Sequence, residues 1–208
     1  MQSITDNDTD GWNAFRNGDS EALMCLYRQH LSALYNYGYN LARDRSLVED
    51  AIQDVFLYLH QHRDGLGAVQ NVRAYLMQSL RHRVLYLLKH DDFRTADLPK
   101  LSETDAFRMD TAQEPAWVRD EADTERSRRL KHLLDQLPKR QREALYLIYF
   151  QQLSYAEAAQ IMQVDVKSVY NFVFKALTAI RQTAGVADWL LTPAVLWLLA
   201  KIFENSST

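Results

Sequence analysis

The chain has 208 residues, 47% of them hydrophobic and 25% charged, the composition of an ordinary globular protein of one large or two small domains. Only six Gly and four Pro among many Leu, Ala, Gln and Tyr favour helices over strands, and the single cysteine, Cys25, excludes an internal disulfide or a cysteine-based zinc cluster. The net charge of −3 is unevenly spread. Residues 91–124 hold ten acids against four bases, whereas residues 125–183 hold ten bases against five acids, which points to modules with different partners.

In chain order, residues 1–11 are polar and acidic and are expected to be disordered. They contain no apolar signal-peptide core, so a cytoplasmic location is expected. Residues 12–90 predict a run of amphipathic helices. The first carries Leu23, Leu26, Tyr27, Leu31 and Leu34 at helical spacing, with Asp19 or Ser20 as its N-cap. A second helix is expected from Ser46, where Ser46 and Glu49 have capping-box spacing. Along it Val48, Ala51, Ile52, Val55 and Leu59 form an inward stripe, and Glu49, Asp50, Gln53 and Asp54 lie on the opposite face. Charge alone leaves that face either a solvated surface or an interface.

A glycine-containing loop, residues 65–72, leads into a third helix with Leu76, Leu80, Val84 and Leu87 as its stripe. Tyr75, Gln78, His82 and Lys89 share another face, with Arg73, Arg81 and Arg83 adding positive charge nearby. Aromatic, amide and cation together suit opened nucleic-acid strands, and a solvated polar face is the alternative.

Residues 91–124, with Pro99 and Pro115, read as an acidic linker. Helices resume at 125–183: a segment ending at Pro138, the basic KRQREALYLIYFQQ, a short helix from Ser154, a turn at MQV and a longer helix from Asp165 to about Thr183. Val169, Val173, Ala176, Leu177 and Ile180 form its inward stripe, leaving Lys167, Tyr170, Asn171, Phe174 and Lys175 outward and Phe172 at the margin. Residues 184–208 are an apolar helix and tail, too short to span a bilayer comfortably, so stable membrane insertion is not expected. The fold class is all-α, two modules and a linker. His60 and His62 have a weak metal spacing, no phosphate loop or nucleophile motif is present, and neither a cofactor nor enzymatic catalysis is expected.

VEDAIQDVF, residues 48–56, resembles the polymerase-docking motif of bacterial RNA polymerase sigma factors of the sigma-70 superfamily, extracytoplasmic-function type. Glu49, Asp50, Gln53 and Phe56 match that motif outright and Asp54 conservatively. LPKRQREAL followed by LSYAEAAQIMQVDVKSV resembles the family's C-terminal helix-turn-helix domain. The resemblance implies a non-catalytic subunit with residues 12–90 as region 2 and 125–183 as region 4. Glu49, Asp50, Gln53, Asp54 and Phe56 would dock on the clamp helices of the largest polymerase subunit, the flap being a second contact. The linker would thread toward the RNA exit path. Asn71, Arg73, Tyr75, Gln78, Arg81, His82 and Lys89 would contact melted promoter DNA, the loop capturing a flipped base. Arg140, Arg142, Ser154, Lys167, Ser168, Tyr170, Asn171 and Lys175 would contact the upstream duplex.

Two departures stand out. His82 occupies a position where the family often has Asn, with Asn71 as a nearby substitute, and Tyr170 and Phe172 stand where members commonly place Arg or Lys. Those aromatics either pack against the neighbouring helix or meet a protein. The leading expectation is therefore an alternative sigma factor, with room for an anti-sigma factor. The alternatives are a sigma-type adaptor whose DNA targeting comes from a partner (another DNA-binding protein or an RNA-guided complex) and a polymerase-independent helix-turn-helix repressor.

Overall fold

The computed structural model describes residues 3–91 and 132–184, which are helical with no strand among them. Apart from their end residues, the acidic linker and the apolar segment from 184 lie outside the described residues, as do residues 125–131. The chain divides into two compact units, each taken by itself.

The first unit is built from α1 (Ser3–Arg16), α2 (Ser20–Ala42), α3 (Arg45–Gln61) and α4 (Val72–Asp91), with a 3₁₀ turn at Arg63–Gly65. Helix α2 packs against the other three, and α3 packs against α4. For residues 3–11, α1 corrects the expectation of disorder. Asp8 is buried, its carboxylate 3.4 Å from His30 Nε2 of α2 and accepting a hydrogen bond from the Gln29 amide. One turn on, Trp12 and Phe15 are fully enclosed, and burying two aromatics supplies apolar area that the acidic composition conceals.

Asp19 caps α2, Oδ1 accepting from the amides of Glu21 (2.8 Å) and Ala22 (3.2 Å). Of its expected stripe, Leu26 and Leu34 are buried, whereas Leu23, Tyr27 and Leu31 are half-buried. The cap of α3 is Asp44 rather than Ser46: Oδ1 of Asp44 accepts from Leu47 N at 3.1 Å. α2 closes at Arg43 in the left-handed region (φ 58°), so Asp44 already stands at the next helix's entrance and Ser46 falls inside its first turn. Val48, Ala51, Ile52, Val55 and Leu59 are all buried, as their spacing requires. Gly38 lets α2 approach this stripe, since a Cβ there would meet Val48 Cγ1 at 2.8 Å. In α4, Leu76, Leu80 and Val84 are fully buried and Leu87 is half-buried.

The second unit holds a helical turn over residues 132–136, α5 (Lys139–Leu145) continuing into a π-helical turn at Tyr146–Phe150, α6 (Tyr155–Met162) and α7 (Val166–Ala184). A capping box does form here: Ser154 Oγ accepts from Glu157 N (3.2 Å) while the Glu157 carboxylate accepts from Ser154 N (2.7 Å). The α6–α7 turn passes through Gln163 at φ 56°, a left-handed residue where Gly would carry no strain. Asp165 caps α7, accepting from Ser168 N at 2.6 Å. That hydrogen bond holds its carboxyl below the usual range. Val169, Val173, Ala176, Leu177 and Ile180 form the buried stripe of α7, which packs on α5.

Candidate functional site

Three surfaces gather the residues singled out by sequence. On α3, Glu49, Asp50 and Gln53 are exposed on the side opposite the buried stripe. Asp54 is half-exposed and tied to α4 by Arg83, whose Nη2 and Nε lie 2.7 and 2.8 Å from Oδ2. Beside them opens a groove of about 850 Å³ whose lining includes Asp50, Gln53, Asp54, Arg83, Tyr86 and His90. Phe56 is not part of that face. It is only 8% exposed and packs edge-on against Tyr27 of α2, ring centroids 5.0 Å apart. Its place four residues after the buried Ile52 and three before Leu59 sets it on the packed side, so it supports the face from beneath.

On α4, His82 and Lys89 are exposed, and Tyr75, Gln78 and Arg73 are half-buried. Tyr75 packs edge-on against Trp12 at 5.2 Å, and burial raises its phenol pKa, keeping it neutral. Two of the residues expected to contact DNA are engaged within the chain. Arg81 is 5% exposed; it follows the fully buried Met77 by four residues and so shares the packed face. Asn71 is the N-cap of α4, its Oδ1 accepting from Ala74 N at 3.0 Å, so its amide oxygen is committed locally.

The loop before α4 is anchored by side chains that the sequence reading did not single out. Trp12 Nε1 donates to the Gly67 carbonyl (3.0 Å) and Arg16 Nε to the Leu66 carbonyl (2.7 Å). Both span about fifty residues of chain, and no local pattern betrays them. Gly65, Gly67, Ala68 and Gln70 remain exposed on the anchored loop.

On the second unit, Lys167, Asn171 and Lys175 are exposed along α7, and Arg140 is exposed at the start of α5. Arg142 is corrected: only 5% exposed, it donates to the carbonyls of Leu137 (2.8 Å) and Asp135 (3.0 Å), closing the end of the 132–136 turn. Ser154 serves α6 as its cap, and the Ser168 hydroxyl donates to Asp165 at 3.0 Å. Tyr170 is half-buried and stacked on Tyr155 of α6, centroids 3.9 Å apart and planes 8° from parallel. It therefore locks α7 against α6. Phe172 is half-buried, and the aromatic presented to solvent is Phe174, 69% exposed.

The sequence pattern of Sigma-70 region 2 matches residues 26–94, and that of Sigma-70, region 4 matches residues 127–180, together more than half of the chain. The chain belongs to the sigma-70 family of bacterial RNA polymerase sigma factors. It is 26% identical over 154 residues to the ECF RNA polymerase sigma factor SigM of Bacillus subtilis, covering 73% of this chain and 88% of that one. It is equally 26% identical over 172 residues to the ECF RNA polymerase sigma factor SigK of Mycolicibacterium vanbaalenii, covering 81% and 85%.

Among solved structures, the sigma factor RpoE in complex with the anti-sigma factor NepR from Bartonella quintana superposes with a TM-score of 0.54 at 23% identity, covering 77% of this chain and 95% of that one. CnrH in complex with the cytosolic domain of CnrY gives 0.54 at 19% identity, covering 84% and 94%. These likenesses confirm the all-α fold. This sigma factor, of the extracytoplasmic-function type, is an alternative sigma factor that binds core RNA polymerase and directs promoter recognition, DNA melting and transcription initiation. Among the described residues, no helix is long and apolar enough to cross a membrane.

Proposed function

We propose that the exposed face of α3 seats this sigma factor on the clamp helices of the largest polymerase subunit, with Glu49, Asp50 and Gln53 as the direct contacts. The observation that carries this reading is their joint exposure above a fully buried stripe, on a helix braced to α4 by the Asp54–Arg83 pair. A braced helix presents its charges with little ordering to be lost on binding. Phe56 acts as the core support of that helix.

Further along the chain, Tyr75, Gln78, His82 and Lys89 engage the melted strand beside the anchored loop, aromatic and amide groups meeting bases and the cation a phosphate. Lys167, Asn171 and Lys175 of α7, with Arg140, hold the upstream duplex. Residues 12–90 and 125–183 act as separate promoter-binding modules, and the acidic linker runs toward the flap and RNA exit path. The protein acts as a non-catalytic subunit in the cytoplasm, where an anti-sigma factor is its natural regulator.

A second reading has one observation in its favour. Tyr170, at a position where the family commonly has a base, is spent on stacking, which leaves α7 with few cations on its outward face. An adaptor whose DNA address comes from a partner would tolerate that loss.

The test of the docking reading is co-purification of core RNA polymerase with the full chain and with its Asp50→Lys, Gln53→Lys double variant. The variant is expected to lose the polymerase while its melting temperature holds, because both side chains are exposed. A folded variant that retains the polymerase removes the assignment.

A further inference from the structure

The loop between the 3₁₀ turn and α4 carries two glycines that its own structure does not require. Gly65 and Gly67 are exposed, neither takes a positive φ, and a Cβ on either would meet nothing within 4 Å. What glycine still supplies there is a bare backbone that another molecule can approach closely. The same backbone is gripped from behind. Trp12 Nε1 and Arg16 Nε, four residues apart on one face of α1, donate to the successive carbonyls of Gly67 and Leu66 at 3.0 and 2.7 Å. In a trans peptide the N–H points opposite to the C=O, and among the described residues no peptide bond is cis. Holding these two carbonyls toward α1 therefore turns the amides of Gly67 and Ala68 away from it. Among the described residues neither amide donates a hydrogen bond. The Trp12 ring also lies edge-on to Tyr75 at 5.2 Å, so α1 fixes both the loop backbone and the first aromatic of α4.

We infer that Trp12 and Arg16 are positioning residues for promoter recognition: by gripping two carbonyls from α1, they set how strictly the loop selects an unpaired base of the melted strand. The inference rests on the reading of the α4 face and its loop as the melted-strand contact. Two adjacent neutral donors beside an aromatic ring suit the acceptor edge and flat face of an unstacked base. Trp12 is fully enclosed and Arg16 half-buried, and neither has to touch DNA to act in this way. A loop whose peptide planes are held in advance loses little order on binding. A wrong base then meets fixed donors instead of a loop that adjusts to it.

The experiment uses holoenzyme assembled from the full chain and core polymerase, bound at equilibrium to promoter templates with each strand in turn left unpaired. Every unpaired position is tested with all four bases and with an abasic site. The wild type is expected to prefer one base at one position. Arg16→Met keeps the aliphatic stem without the donor, and is expected to cut that preference about fivefold, the weight of one hydrogen bond. Arg16→Lys, which regains a donor, is expected to restore part of it. Trp12→Phe loses the N–H and keeps a ring, and is expected to weaken the same preference at the same position. Gly67→Ala adds a methyl in open space, so its melting temperature is expected to hold while the preference falls. On the template abasic at that position the four variants are expected to match the wild type.

Variants that bind every template more weakly in equal measure, the abasic one included, overturn the inference, since that pattern belongs to a purely structural clamp or a phosphate contact. Undiminished base preference in Arg16→Met and Gly67→Ala overturns it too, as does a wild type without preference at any unpaired position. The underlying reading fails separately if the Arg16→Met loss is found while His82→Ala and Lys89→Ala leave strand affinity unchanged. The loop would then select its base without the α4 face.

Discussion

Replacing Phe56 by alanine separates a docking residue from a residue that merely holds the docking helix. The ring is 8% exposed between α3 and α2, with Tyr27 edge-on to it at 5.0 Å. Removing a buried phenyl and leaving its cavity costs about 3–5 kcal/mol. For a unit of roughly 90 residues, about 4–8 °C is lost per kcal/mol, so the first unit is expected to melt about 12 °C lower or worse. Calorimetry of the full chain measures that shift. Equilibrium binding to core polymerase, at a temperature where both proteins are folded, measures docking. The expected outcome is a large drop in melting temperature with the affinity of the folded protein preserved. A variant that melts normally yet fails to bind polymerase would refute the core placement and return Phe56 to the contact surface.

Three further outcomes follow from the same geometry. Gly38→Ala gains about 1 kcal/mol of helix propensity but forces a Cβ to within 2.8 Å of the enclosed Val48 Cγ1; overpacking of about 1–3 kcal/mol outweighs the gain, and urea unfolding is expected to show a net loss. Arg142→Ala strips hydrogen bonds from the Leu137 and Asp135 carbonyls and is expected to destabilise the second unit by about 2–4 kcal/mol, read by thermal melting. Arg142→Lys is expected not to restore it, since an ammonium lacks the guanidinium fork. Burial, outweighing the Asp8 carboxylate, lowers the pKa of His30 from its usual 6.5. The unfolded chain therefore binds a proton that the folded one refuses, so stability is full above about pH 6.5 and falls as the pH drops below it. The melting temperature is expected to decline between about pH 7 and pH 5.5, and His30→Gln is expected to flatten that decline; an unchanged slope in the variant contradicts the assignment.

The parts of the fold legible in the sequence are those fixed by local periodicity. Val48, Ala51, Ile52, Val55 and Leu59 are all apolar at helical spacing, and all are buried. The stripe of α7 is legible for the same reason. What escaped reading depends on partners distant in the chain. Asp8 looks like one more acid in a solvated terminus until His30, 22 residues away, is brought against it. Arg81 and Arg142 look like cations for DNA, because composition cannot tell a buried guanidinium from one that faces solvent. Tyr170 is outward by periodicity alone, yet Tyr155 of the preceding helix takes up its face. On α3 the exposure of Glu49, Asp50 and Gln53 is legible too, since it follows from the stripe behind them.

The most direct measurement is transcription by core RNA polymerase and this purified chain from a library of randomised promoters, with the initiating templates sequenced. The expected result is initiation that requires both proteins and selects one shared two-part element, whose upstream half is lost when Lys167 and Asn171 are replaced by alanine. Initiation with no shared upstream sequence, or only on addition of a second DNA-targeting factor, would contradict autonomous promoter reading by α7.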